Sequence, residues 1–340
     1  LASSRPPPTL PTAIGAPNSP PSFAAADQRI PMDDSGISGS GFRIGPLVTS
    51  NDFKAAERLQ QAVWTGSDVE VVPLHLLLTI GRNGGLVLGV WDGDALVGYL
   101  LGFLGTDQTS SESVATTRLK HCSHQLGVHP DYRDRRIGYR LKLAQREVVL
   151  KQGLQLATWT YDPLETRNAN LNLRRLGGIV REYKRNYYGE MEDDLNAGLP
   201  SDRFQVEWWL ASHRVRERVE GTRPPVSLEQ YRSAELRVVN PSAGWETGLL
   251  QPGSKSVELG DAMLALVEVP TNFQEIKSAD PQLALKWRLH TRAVFEGVFT
   301  AGYMLTDFVV DKESETGPRG FYVLSFSEAI AQYDDTFGKN

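Results

Sequence analysis

Gln125-Leu-Gly-Val-His-Pro-Asp-Tyr-Arg-Asp-Arg-Arg-Ile-Gly-Tyr-Arg-Leu141 is the stretch on which the reading of this sequence turns. An apolar strand ending at Val128 runs into a loop carrying Arg133, Arg135 and Arg136. A helix then opens at Ile137-Gly138, with Ile137, Leu141, Ala144 and Val148 along one face. The first N–H groups of a helix lack intrahelical acceptors and lie at the positive end of its dipole, so such a junction suits a phosphate or pyrophosphate. The three arginines add charge-assisted donors for phosphate oxygens. A solvated basic loop has the same composition, so the surrounding elements have to decide between the two.

Before this stretch, residues 42–48 read as a short strand, and Ser50-Asn-Asp52 opens an amphipathic helix with Phe53, Ala56, Leu59 and Val63 at helical spacing. A second helix is expected around residues 74–80. Residues 86–91 and 95–103 flank Asp92-Gly93-Asp94, a strong hairpin signal, and residues 119–128 form the next strand. After the stretch come a strand at 154–161 and Asp162-Pro163-Leu164-Glu165, which reads as N-cap, first-turn proline and N3 glutamate. The helix they open stops at Gly177-Gly178, and strands follow near 179–188 and 204–210. The order β-α-α-β-β-β-α-β-α-β-β predicts an α+β domain with a mixed sheet.

From about Gly221 the pattern loosens. Arg223-Pro-Pro225 and a Gly- and Ser-containing stretch to about Gly260 read as a linker with irregular strands. A strand at 262–269, a helix opened by Asp280-Pro281 with Leu283, Trp287, Val294 and Val298 as its buried stripe, and strands at 304–310 and 320–325 complete the chain. This succession echoes residues 154–210 and suggests a partial internal repeat. The organisation expected is a leader at 1–42, a domain at 43–220 and a smaller α/β extension at 221–340.

Composition excludes some classes. The 340 residues are 40% hydrophobic and 23% charged, as in ordinary globular chains, and no apolar run approaches the roughly 18 residues of a membrane span. A net charge of -5 argues against nucleic acid or an anionic membrane surface as partner. The single cysteine, Cys122, leaves no intrachain disulfide framework and no multi-cysteine metal site, which suits a reducing cytoplasm. Eight of the 20 prolines lie in residues 1–42, which carry almost no aliphatic side chains and are expected to be disordered.

Val128-His-Pro-Asp-Tyr-Arg133 followed by Ile137-Gly138 and Leu141 resembles the acyl-CoA pyrophosphate loop of the GNAT family of N-acyltransferases, whose core runs Gln/Arg-x-x-Gly-x-Gly/Ala. Arg133 fills the first position and Gly138 the last. Arg136 replaces the middle glycine and Asp134 stands where a small residue is common, so both side chains are expected to crowd the phosphates. Ser123-His-Gln-Leu-Gly-Val128, Gly138-Tyr-Arg-Leu-Lys-Leu-Ala-Gln-Arg146, Thr158-Trp-Thr-Tyr-Asp-Pro163 and Arg167-Asn-Ala169 resemble a GNAT branch with a C-terminal extension. The resemblance spans about residues 42–210.

The resemblance implies the GNAT fold, with a fourth strand that splays from the fifth. It implies acetyl-CoA or another acyl-CoA, succinyl-CoA included, as co-substrate, no metal, and direct attack on the thioester by a small-molecule primary amine such as an amino acid. A homodimer is left open. Leu126, Gly127 and Val128 would hold the pantetheine arm, their backbone N–H groups polarising the thioester carbonyl. Arg133, Asp134, Arg135, Arg136, Ile137, Gly138 and Tyr139 would hold the phosphates, and Asn168 and Asn172, one helical turn apart, the pantetheine or substrate.

His124 is the candidate base for the attacking amine, with His121 the runner-up on the opposite face of a regular strand. Cys122 reads as packed core and the acidic run Glu190–Asp194 as a solvated loop. The family's leaving-group acid, a tyrosine four residues before the terminal glycine of the last helix, falls on Leu173. Tyr161, Tyr183, Tyr187 and Tyr188 are its potential substitutes, and Asp162 reads as a helix cap. The alternative to an enzyme is a non-catalytic acyl-CoA-binding or scaffolding module.

Overall fold

The computed structural model describes residues 41–66, 71–107, 118–222, 224–246, 248–254, 259–312, 314 and 317–326. The leader expected at 1–42 lies almost wholly outside these residues. The elements up to residue 210 follow the expected order: β1 (Phe42–Pro46), α1 (Ser50–Val63), α2 (Leu74–Arg82), β2 (Leu86–Asp92), β3 (Ala95–Asp107), β4 (Arg118–Val128), α3 (Ile137–Lys151), β5 (Leu156–Tyr161), α4 (Thr166–Ala169), β6 (Ile179–Lys184) and β7 (Arg203–Trp209). The fold is α+β with a mixed sheet.

Local chemistry explains most boundaries. Thr49 caps α1 through a reciprocal pair with Asp52, and Phe53, Ala56 and Leu59 form its buried stripe. The β2–β3 turn uses Gly93 at φ 56°, as a two-residue hairpin demands. In α3 the buried face is Ile137, Leu141, Ala144 and Val149, with Val149 in the place expected for Val148. Lys142 and Gln145 are buried on the same helix.

Asp162 does not cap a helix. Glu165 is the N-cap residue of α4, and α4 continues as a π-helical turn over Asn170–Arg175. The Asp162 carboxylate instead accepts from Leu164 N–H at 2.8 Å and pairs with Arg288, 126 residues away. A long-range guanidinium outweighs a local capping pattern here because both partners are buried, Arg288 to 2% exposure.

The later chain contains α5 (His213–Glu220), α6 (Leu228–Ser233), β8 (Gly244–Glu246), β9 (Leu249–Gln251), β10 (Leu264–Pro270), α7 (Phe273–Ala279), α8 (Pro281–Thr300), β11 (Tyr303–Asp311) and β12 (Arg319–Phe326). Asp280 caps α8 ahead of Pro281, and Leu283, Trp287, Val294 and Val298 are buried as the stripe requires. Ten strands form one sheet in the order β1-β2-β3-β4-β5-β7-β6-β11-β12-β10. The strands on the two sides of the β6–β11 seam are wired alike, β5-β7-β6 on one side and β10-β12-β11 on the other. A core of Phe204, Val206, Trp287, Phe295, Leu305 and Tyr322 runs across that seam.

Two irregularities shape the sheet. β4 and β5 are parallel neighbours and pair only at His121↔Ala157 and Cys122↔Thr158. Beyond Cys122 the strands part. At the seam, β6 and β11 share a single register pair, Val180↔Leu305, flanked by register shifts at Arg181 and Thr306.

Candidate active site

The gap between β4 and β5 begins at a β-bulge. Gly102 pairs with Ser123 and Leu101 with Gln125, so His124 is the extra residue of the bulge. The regular alternation that sets His121 and His124 on opposite faces therefore breaks at this point. His129 N–H donates to Val97 carbonyl on β3 at 2.9 Å. Backbone N–H groups alternate in direction along a strand, so those of Val128 and Leu126 point away from β3, into the gap. A carbonyl oxygen placed there meets backbone donors that no β5 residue occupies.

The gap opens into a cleft of about 320 Å³ lined by residues from both halves of the chain. β4 supplies Ser123, His124, Gln125 and Leu126, α1 ends at the lining Trp64, and the α4 region supplies Glu165, Asn168 and Asn172. Gln274 of α7 forms part of the far wall and donates to the Glu165 carboxylate. Burial raises the Glu165 pKa, opposed by the Gln274 hydrogen bond and reinforced by neighbouring Asp162. His124 is exposed and its ring lies 5.9 Å from Phe103. Crowding by the surrounding protein lowers its pKa from 6.5, so the imidazole is neutral at pH 7 and able to accept a proton.

In the acidic run at 190–194, Glu190, Glu192 and Asp194 are exposed as expected of a solvated loop, but Asp193 is not. Asp193 is fully buried, accepts from Leu195 N–H and the Asn196 amide, and lines the cleft. Asp194 receives the Thr65 hydroxyl at 2.8 Å, and Lys277 of α7 donates to the carbonyls of Asp194 and Leu195. The run is thus fastened to the end of α1 and to α7 across one side of the cleft.

Of the four tyrosines considered as acids, Tyr188 presents its hydroxyl at the cleft, 2.8 Å from Thr160 Oγ1, and is half exposed. Tyr161 also lines the cleft but is buried, and burial pushes its pKa far above 10. Tyr183 donates to Asp202, and Tyr187 is exposed, not itself on the lining, with its ring edge-on to Tyr188 at 4.7 Å. Leu173 is fully buried core.

Between β4 and α3 lies a buried polar cluster, of which Ser123, Lys142 and Trp159 also line the cleft. Lys142 Nζ donates to Ser123 Oγ at 2.8 Å and to Gln145 Oε1 at 3.2 Å, and sits 3.5 Å above the Trp159 ring. His121 Nε2 lies 2.9 Å from Gln145 Nε2. Burial, with the Lys142 charge, lowers the His121 pKa to about 4. His121 is buried at the inner end of this cluster and is not on the cleft lining, whereas His124 is. Cys122, expected as packed core, is only half-buried and also lies off the cleft.

The His121 value predicts acid sensitivity. Between pH 6.5 and about 4 the unfolded chain binds a proton there that the native protein refuses, so stability falls as pH falls through that window. The full contribution is about 3 kcal/mol at 1.36 kcal/mol per pH unit, and no more is lost below pH 4 from this group. Urea unfolding at pH 7 and pH 4.5 should show a drop that His121→Phe reduces. Equal pH dependence in both proteins would contradict the assignment.

The arginine loop adjoins the cleft through Leu126. A Cβ added at Gly138 would meet only Leu126 Cδ2, at 3.4 Å, so the first turn of α3 is open to a close-approaching anion. Asp134 and Arg136 take left-handed φ values of 63° and 59°, so the loop turns sharply into the first turn of α3, whose free N–H groups at the positive end of the helix form the anion cradle. Arg136 keeps the conformation that a glycine adopts freely, at a cost of about 1 kcal/mol. Asp134, expected to crowd the phosphates, is turned to Arg167 at 3.5 Å. Arg135 lies 4.8 Å over Tyr132, and Arg133 and Arg136 are exposed. These groups fit a diphosphate.

Not every predicted residue reaches a ligand position. Leu126, Asn168 and Asn172 line the cleft, with Val128 half-buried above it. Gly127 is packed under Tyr99 and Trp64, so its lack of a side chain serves the core. The Ile137 side chain is core and Tyr139 packs partly against it, leaving their backbone at the helix start as the useful part. Glu165, Gln274 and Asp193 were not foreseen in the cleft, whereas Tyr188 was among the tyrosines considered. A buried carboxylate in a loop and a partner 109 residues away leave no periodic signal.

Comparison with protein-family models finds no match, and none of the curated proteins matches. Several solved structures resemble about half of the chain. NAA60 from Arabidopsis thaliana in complex with acetyl-CoA has a TM-score of 0.40 and 11% identity, over 49% of this chain and 99% of that one. An N-acetyltransferase from Staphylococcus aureus has a TM-score of 0.39 and 14% identity, over 50% and 99%. Aminoglycoside 6'-acetyltransferase type Ii has 0.37 and 15%, over 49% and 96%.

Proposed function

We propose that the chain is an N-acyltransferase of the GNAT type, which moves an acyl group, most simply acetyl, from coenzyme A to a primary amine of a small molecule. The parting of β4 from β5 beyond Cys122 carries this reading. It creates a strand edge inside the molecule, with Leu126 and Val128 N–H groups directed at a cleft whose outer end meets the anion cradle of α3. A thioester reaching from cradle to cleft brings its carbonyl to those donors, which stabilise the oxyanion that forms on attack.

The other groups then take roles. Arg133, Arg135, Arg136 and the amides at Ile137 and Gly138 bind the diphosphate, and Asn168 and Asn172 hold the pantetheine amides. Glu165, steadied by Gln274, draws the substrate ammonium into the cleft. His124 takes its proton, the free amine attacks the thioester carbonyl, and the tetrahedral intermediate collapses with loss of thiolate. Tyr188 gives its proton to the leaving sulfur and regains one from the nitrogen of the new amide.

Following free thiol release from acetyl-CoA and succinyl-CoA across a panel of amines, amino acids and peptides tests the reading. Amine-dependent release is expected. Coenzyme A binding with no turnover on any amine would favour the non-catalytic module instead. We also read residues 221–340 as a partial repeat of 154–210, on the matching order of strands either side of the seam.

A further inference from the structure

The chain leaves β6 through a sharp turn before it reaches Tyr188, and α8 grips that turn at two points. Asn186 takes a left-handed φ of 42°, and its N–H donates to Asp202 Oδ1 at 2.9 Å. Asp202 is fully buried. Arg292 of α8 holds its carboxylate with a two-pronged fork, Nε to Oδ2 at 2.9 Å and Nη2 to Oδ1 at 2.8 Å. One helical turn further along α8, Glu296 pairs with the guanidinium of Arg185, the residue before Asn186.

Hydrogen bonds carry this grip on to Tyr188. Asn186 Oδ1 accepts from Ser201 N–H at 3.2 Å, and Ser201 Oγ accepts from Tyr188 N–H at 3.0 Å while donating to Gly189 carbonyl at 2.7 Å. The Arg203 guanidinium lies 5.3 Å over the Tyr188 ring. The hydroxyl then meets Thr160 Oγ1 on β5, the strand that parts from β4 to open the cleft. Neither Arg292 nor Asp202 lines the cleft, so both reach it only through this turn.

We infer that Arg292 and Asp202 are positioning residues for Tyr188, so that α8, in the C-terminal part of the chain, sets the group that releases the thiol. The inference rests on the acyltransferase reading, in which the Tyr188 proton goes to the departing sulfur and is replaced from the nitrogen of the new amide. Loss of the fork leaves the Asp202 carboxylate buried without its cation, and the turn that shares this carboxylate shifts to bring it water. The hydroxyl moves with the turn. A misplacement of about 1 Å at a reacting group costs on the order of 100-fold in rate.

A double-mutant cycle of Arg292→Gln and Tyr188→Phe tests this, read as the single-turnover rate of thiol release from acetyl-CoA with the amine that the panel selects. Arg292→Gln should slow release about tenfold or more in the native background and less than about twofold in the Tyr188→Phe background, with coenzyme A affinity unchanged. Hydrogen exchange at the amides of residues 186–189 should quicken in Arg292→Gln. Glu296→Gln, which breaks the more exposed grip and keeps the buried pair, should repeat the pattern with a smaller slowing. Equal slowing in both backgrounds would mean that the pair supports only the fold and would overturn the inference. So would a Tyr188→Phe protein as fast as the native one, or exchange left unchanged by Arg292→Gln. No amine-dependent release by the native protein would remove the acyltransferase reading as well, whereas additive losses remove this inference alone.

Discussion

Asp162→Ala should lower the free energy of unfolding by about 3–5 kcal/mol, the usual cost of leaving a buried ion unpaired. Asp162 is 12% exposed at its side chain and pairs directly with Arg288, 2% exposed, so its removal strands that guanidinium, while Arg203, 3.8 Å away, keeps Asp202 carbonyl and Asn196 Oδ1 as acceptors. Burial alone would raise the Asp162 pKa, but Arg288, through charge and hydrogen bond, then Arg203 and Leu164 N–H hold it below the usual carboxylate range. The same carboxylate joins the end of β5 to α8, so the loss should also loosen the wall of the cleft that Glu165 and Gln274 share. Urea unfolding measures the change. The double variant Asp162→Leu with Arg288→Met should recover a large part of the loss, since both buried charges then leave together. A single variant within 1 kcal/mol of the native protein would show that Arg288 has found another anion, and the account of this joint would fail.

His124→Ala should cut kcat/KM by about 100-fold or more, the range for a positioned general base. On the proposed chemistry the native protein's rate should fall as pH drops through a value below 6.5, because protonated imidazole cannot take the ammonium proton. The variant should lose that acid limb and keep only the dependence set by the substrate amine. His121→Phe offers the comparison, since that ring is buried and is not on the cleft lining. It should change stability without moving the pH–rate profile. A His124→Ala enzyme with an unaltered acid limb would remove His124 from the proton path and leave Glu165 as the acceptor.

The architecture to residue 210 was readable because each element carries a local signature: the Thr49–Asp52 cap, the Asp-Gly turn at 92–93, the apolar stripe of α3. The three arginines before the helix start at Ile137-Gly138 likewise marked the anion loop. The short helix α5 escaped because His213–Glu220 buries only Val215, so it has no apolar stripe to read. Lys142 was invisible for another reason. Its burial depends on Ser123, Gln145 and the face of Trp159, partners that only the folded chain brings together. The bulge at His124 is set by the register of β3 against β4, which neither strand encodes alone. Asp162 shows a local pattern overruled, its cap motif intact and its carboxylate taken by Arg288. The far wall of the cleft stayed hidden most completely, since Gln274 comes from α7, beyond a long irregular stretch.

The central claim is that the parted strands and the arginine loop together hold coenzyme A. Calorimetric titration of coenzyme A into the native protein and into Gly138→Glu tests this directly. The substitution adds a negative charge at the mouth of the cradle, where a Cβ meets only Leu126 and the fold has room for it. Saturable one-to-one binding by the native protein, weakened at least tenfold in Gly138→Glu, is the predicted result. No binding by the native protein, or binding that Gly138→Glu leaves unchanged, would contradict the account.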